Sequence, residues 1–336
     1  MDELRAGIIG LGVGEKHIAA FNAHPNCKVT ALCDFSKKKL DGLGKFFPNA
    51  RCTGTASDVI DDPDIDIVSV ASFDNYHFEH VSRAIQNGKH VFVEKPLCLQ
   101  YHEAVEIRRL LSDNPDNKLS SNFSLRTCPR FVRVREAILS GEMGVIYYIE
   151  GDYLWGRINK LTEGWRKDME FYSIIHGAAV HMIDLVLWIT DMRPVEIQAL
   201  GNKMATAGSG MKFNSFAVIL MKFEDGSIAK ISANGGCIHP HFHRLTVFGR
   251  KKTFIHDLLG SKWIDVTDPD VEKRDVVEDY PAKEKRGEVI TSFVNSILSK
   301  GSMALIPCDD VFNTTSVCFA AEKAISSGRP IEVDYI

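Results

Sequence analysis

No stretch of the 336 residues strings together the roughly 18 apolar side chains that a membrane-spanning helix needs. A partner membrane is therefore not expected. The opening Met1-Asp2-Glu3-Leu4 lacks the basic residues and apolar core of a secretory leader. Neither sign of charge dominates, since 40 Lys+Arg against 44 Asp+Glu leave a formal charge of -4. That near balance argues against a nucleic-acid partner bound through phosphate neutralisation. The eight cysteines, at positions 27, 33, 52, 98, 128, 237, 308 and 318, form no CxxC pair and no regular framework. They read as reduced thiols, so a cytoplasmic protein is expected. Internal repeats and low-complexity segments are absent too. Hydrophobic residues at 45% and charged residues at 25% exclude a mainly disordered chain. At roughly 150 residues per domain, the length predicts two domains.

The first 120 residues alternate short apolar runs (Ala6–Ile9, Lys28–Cys33, Ile67–Ala71, His90–Val93) with segments of helical spacing (Lys16–Ala23, Lys37–Phe46, Phe78–Asn87, Gln100–Leu111). Such alternation is the pattern of βαβ units around a buried parallel sheet. After about Lys118 the pattern changes. Leu119–Leu125 reads as a short strand and Arg130–Leu139 as a helix. Longer alternating stretches follow at Val145–Trp155, Val195–Lys203, Phe213–Phe223, Ser227–Gly235, Phe242–Phe248 and Thr253–Asp257. Glu224-Asp225-Gly226 is a hairpin signal between two of them. An α+β domain with an antiparallel or mixed sheet is expected there. Asp268–Arg286 reads as a charged surface excursion, and about Asp309–Ser326 as a final helix.

Ala6 to His17 reads as a strand, a turn Gly10-Leu11-Gly12-Val13-Gly14 and a helix. In a dinucleotide site the first glycine permits the turn, the second admits the pyrophosphate, and the third lets helix and strand close up. The spacing GxGxG is one residue shorter than GxGxxG, and a plain turn is the alternative. Asp34, ending the second strand, can accept hydrogen bonds from both ribose hydroxyls and repel a 2′-phosphate, which favours NAD over NADP. Capping of the helix at Ser36–Lys39 is the alternative, and Lys37, Lys38 and Lys39 would relieve part of the repulsion.

Glu94-Lys95-Pro96 follows a buried strand at its carboxyl end, where ligands of open parallel sheets sit. Lys95 can hold a substrate oxygen there; a surface ion pair is the alternative. His176–Trp188 reads as a helix on which His181 and Asp184 share a face. An imidazole suits proton removal from an alcohol, while a satisfied core histidine is the bland reading. His239-Pro240-His241-Phe242-His243 invites a metal, but three ligands along one strand face bind an ion poorly, so no metal is expected. A strand end facing a pocket or a subunit contact fits that segment better.

Ser69–Pro96, with His77 and the run Gly88-Lys89-His90-Val91 … Glu94-Lys95-Pro96, resembles the glucose-fructose oxidoreductase, inositol dehydrogenase and rhizopine catabolism (Gfo/Idh/MocA) family. Asn122 with Arg126 and Pro129, Trp165-Arg166-Lys167-Asp168, and His181-Met182-Ile183-Asp184 continue the likeness in order. The resemblance implies an α/β Rossmann domain, expected over 1–121, followed by an α+β domain with a large, mostly antiparallel open sheet over 122–336, with the final helix packing back on the first domain. It implies an NAD(P)-dependent dehydrogenase acting on a sugar, cyclitol or nucleotide-linked sugar. Lys95 and His181 would be catalytic. Gly10, Leu11, Gly12, Val13, Gly14, Asp34, Ser72, His77, Glu94 and Lys95 would hold the cofactor. Asn122, Arg126, Trp165, Arg166 and Asp184 would contact substrate, with Tyr153 and Trp155 extending an aromatic wall. Many relatives carry an Asp four residues before the histidine, and here that position is Gly177. Either a carboxylate is simply missing, so that Asp would fit at 177, or glycine makes room for a bulky substrate. A non-catalytic NAD-binding regulator and an NAD-dependent glycosidase are the rival functions. The exposed sheet face predicts a homo-oligomer, dimer or tetramer.

Overall fold

Six short strands, β1 (Leu4–Ile9), β2 (Cys27–Cys33), β3 (Arg51–Thr53), β4 (Ile67–Val70), β5 (His90–Val93) and β6 (Leu119–Ser121), pair in parallel in the order β3-β2-β1-β4-β5-β6. Ala6, Ile8, Ile67, Val68, Val70, Val91, Phe92 and Val93 are completely buried, which is why these strands run apolar without alternating. The order reverses between β1 and β4, and in doubly wound sheets the ligand crevice opens at that reversal, beyond the strands' carboxyl ends. The computed structural model describes residues 3–299 and 301–336. Met1 and Asp2, which open the segment read above for a leader, lie outside the described residues.

The chain divides into two compact units, one of Met1–Ser124 with Glu284–Phe312 and Ile336, the other of Leu125–Lys283 with Asn313–Tyr335. This differs from the expected division at 121/122, because 284–312 belongs to the first unit. The reason is the helix Glu288–Leu298, which the sequence reading passed over. Its stripe of Val289, Ile290, Phe293 and Val294 is buried, Phe293 lies 5.7 Å from Phe92, and Asn295 bonds His24 at 3.0 Å. The final helix, Cys308–Ser327, begins in the first unit, where Arg108 pairs with Asp309 at 2.6 Å and lies 4.8 Å over Phe312. From Asn313 onward it belongs to the second unit.

The second unit holds nine strands: β7 (Ile146–Leu154), β8 (Pro194–Asn202), β9 (Phe216–Phe223), β10 (Ile228–Asn234), β11 (Phe242–Gly249), β12 (Thr253–Asp257), β13 (Gly260–Ile264), β14 (Arg274–Asp275) and β15 (Ile331–Glu332). Their order is β14-β13-β12-β11-β7-β10-β9-β8-β15, antiparallel throughout except for the parallel pair β7–β10. The hairpin at Gly226, φ +86°, joins β9 to β10 as its sequence predicts. A helix, Val180–Thr190, lies against β7 at Gly151, where an added Cβ would come within 3.0 Å of Met182. The missing side chain lets the helix carrying His181 approach the sheet. The excursion 268–286 is pinned rather than loose, since the Tyr280 ring lies 4.3 Å from His256 and its hydroxyl bonds His243. No disulfide forms; Cys27, Cys33, Cys98, Cys128 and Cys318 are buried, and burial pushes the Cys27 thiol up to about 12. Among the described residues no helix is long and apolar enough to cross a membrane.

Candidate active site

In the first unit the glycine turn is built as the sequence predicts. Gly10 has φ +90°, and a Cβ there would collide with the Ala71 carbonyl, so only glycine closes the turn from β1. A Cβ at Gly12 would meet nothing within 4 Å, which leaves that backbone open to a ligand. The helix Glu15–Asn22 starts at Gly14 with no side-chain cap; the Lys16 N–H already donates to the Val13 carbonyl at 3.0 Å, which leaves the Gly14 and Glu15 amides for an anion. Asp34 is 4% exposed and serves two structural ends. The Leu11 N–H donates to Oδ2 at 2.8 Å, tying down the loop, and the Ser36 N–H donates to Oδ1 at 2.8 Å, holding the entry to the helix Lys37–Gly44. Lys39 pairs with Oδ2 at 3.2 Å. Asp34 thus braces the chain entering that helix, whose N-cap residue Ser36 has no side-chain cap, and among the described residues Oδ1 accepts only from the Ser36 N–H. Open Gly12, uncapped amides and a fixed carboxylate fit a dinucleotide.

At the end of β5, Glu94 is buried and accepts from His17 Nε2 at 3.0 Å and from the Asn122 amide at 2.6 Å. Burial alone would push its carboxyl up. The hydrogen bond and charge of His17, then Lys95 and Asn122, overcome this and hold it at about 2. Half-buried Lys95 therefore follows a permanently ionised carboxylate. Asn122, expected at the substrate, has one amide hydrogen committed to Glu94. His77 is a clamp. Its Nδ1 donates to the Pro96 carbonyl at 2.6 Å and its Nε2 lies 3.1 Å from the Ser72 carbonyl, so it joins two loops beyond the strand ends. Ser72 itself bonds His80 at 3.1 Å. His17 was missed as a site residue, because a polar side chain on the sheet-facing side of a helix leaves no mark in the sequence; its Nδ1 lies 2.9 Å from Ser69 Oγ.

In the second unit His181 sits one residue into the helix Val180–Thr190, directly after a π-helical turn, Ile175–Ala179. Such turns favour functional positions. The Ser173 hydroxyl starts this turn by accepting from the Ile175 and His176 N–H groups at 3.0 and 3.1 Å. The half-buried imidazole of His181 stacks on Tyr153, with centroids 5.6 Å apart and planes 10° from parallel. His241 Nε2 lies 3.0 Å from the Tyr153 hydroxyl, and the His243 ring lies 4.9 Å from that of Tyr153. His243 Nδ1 is 2.9 Å from the Tyr280 hydroxyl. The histidines of the 239–243 segment thus brace the ring under His181, except His239, which bonds only the next carbonyl. Their alternation along a strand was the legible signal.

Arg126 and Asp184, both expected at the substrate, are instead engaged with each other. Arg126 is 2% and Asp184 0% exposed, and the guanidinium fork meets the carboxylate at 2.5 and 3.1 Å. A buried pair of this kind is structural, since separating it would strand a charge in the core. Trp165 and Arg166 do come together, with the guanidinium 4.2 Å over the indole. Gly177 faces Tyr172, whose hydroxyl would lie 2.5 Å from an added Cβ. Neither a missing carboxylate nor an open substrate space describes that position.

Residues 4–122 match the family model described as oxidoreductase family, NAD-binding Rossmann fold, and 131–255 match the GFO/IDH/MocA C-terminal domain. The chain is 22% identical to myo-inositol 2-dehydrogenase of Thermotoga maritima over 346 residues, 99% of each chain. Its fold is similar to that of myo-inositol 2-dehydrogenase from Lactobacillus plantarum, with TM-score 0.83 and 22% identity, covering 99% of this chain and 100% of that one. It is similar also to scyllo-inositol dehydrogenase from Lactobacillus casei, solved with NAD(H) and scyllo-inositol, with TM-score 0.81 and 20% identity over 98% and 99% of the two chains. At these identities the likeness to the solved structures is one of fold. The two family matches together span most of the chain, and the protein is a member of the Gfo/Idh/MocA oxidoreductase family, with an NAD-binding Rossmann unit.

Proposed function

We propose that the protein is an NAD-dependent dehydrogenase acting on a secondary hydroxyl of a cyclitol or sugar. One observation carries the reading: a half-buried imidazole, His181, is held flat on Tyr153 by a braced histidine array, in a chain whose other unit binds NAD. A binding module needs no oriented proton acceptor. His181 is suited to take the hydroxyl proton, and the Lys95 ammonium, at the carboxyl end of β5, is suited to stabilise developing negative charge. The glycine turn and Asp34 hold the dinucleotide, which when bound supplies the hydride acceptor. Asp34 favours NAD over NADP. The relatives named for myo- and scyllo-inositol support a polyhydroxylated ring as substrate. The Tyr172 hydroxyl beside Gly177 supports a packing role for that glycine rather than a loss of catalysis.

Exposed Leu200 and Leu220, on adjacent strands of the sheet, support a homo-oligomer, and the unpaired thiols support a cytoplasmic setting. The test is formation of NADH from NAD with a panel of inositols and hexoses. Turnover of at least one is expected. Tight NAD binding without turnover of any would overturn the dehydrogenase assignment.

A further inference from the structure

Most arginines of the second unit have a defined polar partner. Arg126 meets Asp184, Arg133 meets Glu142, Arg244 meets Asp152, and Arg130 bonds the Glu278 carbonyl. Arg157, Arg193, Arg250 and Arg329 have no such side-chain partner among the described residues but are exposed, whereas Arg166 is half-buried. Among the described residues it makes neither an ion pair nor a hydrogen bond, and its Nε is buried without a partner. Aromatic rings surround it instead: Trp165 at 4.2 Å, Trp155 at 5.4 Å and Tyr172 at 6.0 Å from the guanidinium carbon. Ring faces attract a cation but cannot accept its N–H groups in their plane. The guanidinium is thus partly stripped of water and still lacks its anion.

Two independent routes tie Arg166 to His181. Along the sheet, Tyr153 and Trp155 are two residues apart on an extended chain, whose ladder continues through the Trp155 N–H to the Asn234 carbonyl at 2.9 Å. Their side chains share one face, about 7 Å apart. Tyr153 carries the His181 ring and Trp155 lies beneath Arg166. Along the helix, Tyr172 lies beside Arg166, and its hydroxyl stands at position 177, one turn before His181. A cation with unused donors therefore shares both a sheet face and a helix turn with the proposed proton acceptor.

We propose that Arg166 is a carboxylate subsite and that the substrate is an acidic polyol, such as a uronic acid. Its carboxylate sits in the Arg166 fork and the hydroxyl to be oxidised sits at His181. This rests on the dehydrogenase reading above. A planar guanidinium matches a carboxylate in bidentate geometry, and one cation balances one monoanion, whereas a phosphate dianion would leave a charge uncovered. The carboxylate itself does not react. It fixes which hydroxyl reaches His181.

The experiment compares kcat/KM with NAD for glucuronate and galacturonate against glucose, galactose and myo-inositol, with glucose 6-phosphate as the phosphate arm. The native protein should favour the uronates at least about tenfold, the discrimination expected when a site built for a charged group meets a neutral analogue. In Arg166→Gln the ratio of acid to neutral kcat/KM should collapse toward one, and Arg166→Lys should restore part of it. Equal use of neutral and acidic substrates by the native protein overturns the subsite, as does an equal loss for both classes in Arg166→Gln. Preference for glucose 6-phosphate overturns the carboxylate assignment. If nothing is turned over, calorimetric titration with glucuronate separates the two ideas. Binding that Arg166→Gln abolishes keeps the anion subsite and sinks the dehydrogenase reading, and no binding overturns the subsite.

Discussion

The Tyr172 hydroxyl occupies the space into which a side chain at Gly177 would project, 2.5 Å from an ideal Cβ. Tyr172 is 2% exposed, so its ring has little room to swing away. Glycine at 177 therefore makes room for a phenol. The carboxylate that many relatives place there would not fit, contrary to one expectation from the sequence. Gly177→Asp should destabilise the protein by about 1–3 kcal/mol, the usual cost of overpacking, and lower turnover. Adding Tyr172→Ala should return much of that stability. Thermal denaturation of the two variants checks this, and a Gly177→Asp single variant as stable as the native protein would refute it.

Asp34 both faces the cofactor loop and holds it, through the Leu11 and Ser36 N–H groups. NAD should bind at least about tenfold more tightly than NADP, a difference of roughly 1.4 kcal/mol. The Lys39 contact at 3.2 Å keeps the gap from becoming much larger. Asp34→Ala should narrow the preference and also weaken NAD itself, because the Leu11 N–H loses its acceptor. Isothermal titration with both dinucleotides decides; equal native affinities would remove Asp34 from the selectivity argument.

The parallel sheet was legible because buried strands must run apolar and the turns between them must carry glycine. β5 falls on His90–Val93 as read. The helix Glu288–Leu298 was not, since its partners, His24 and Phe92, lie 271 and 201 residues away in sequence. Motif order pointed to Lys95 and His181. It could not reveal that Arg126 and Asp184 neutralise each other, because opposite charges on separate elements declare their pairing only once the elements pack. The Tyr153–His181 stack was half visible: the alternation of Tyr153 and Trp155 gave the face, and only the fold gave the imidazole.

Lys95 follows a carboxylate held at about 2, and the role proposed for it is electrostatic. Lys95→Ala should leave NAD affinity nearly unchanged and cut turnover by roughly 10²–10⁴, the range for one acid/base group. His181→Ala should fall in the same range. Tyr153→Phe keeps the stacked ring while losing the hydroxyl contact to His241, so it should retain more activity than Tyr153→Ala. Steady-state kinetics with a competent polyol test all four, and full turnover in both Lys95→Ala and His181→Ala would sink the catalytic assignment.

His176 sets an acid limit to stability. It is 1% exposed, its ring lies 4.9 Å from Phe319, and neither ring nitrogen has a hydrogen-bond partner among the described residues. Burial disfavours its charged form and brings it from 6.5 down to about 4. In the unfolded chain it titrates near 6.5, so between about 6.5 and 4 the unfolded state binds more protons and stability falls as pH falls. Above that window both states are neutral, and below it both are charged. The shift corresponds to about 3 kcal/mol at full extent. His256, held at about 3 by burial and the nearby Arg130, adds to the same slope. Glu94, with its carboxyl held at about 2, acts lower, losing its contribution only between about 4.5 and 2. Urea unfolding should therefore show the native protein losing stability from pH 7 to 4.5. His176→Phe should flatten part of that loss while remaining stable at pH 7, because the replacement ring keeps the contact with Phe319. An unchanged slope in the variant would mean that the buried imidazole is not the group being titrated.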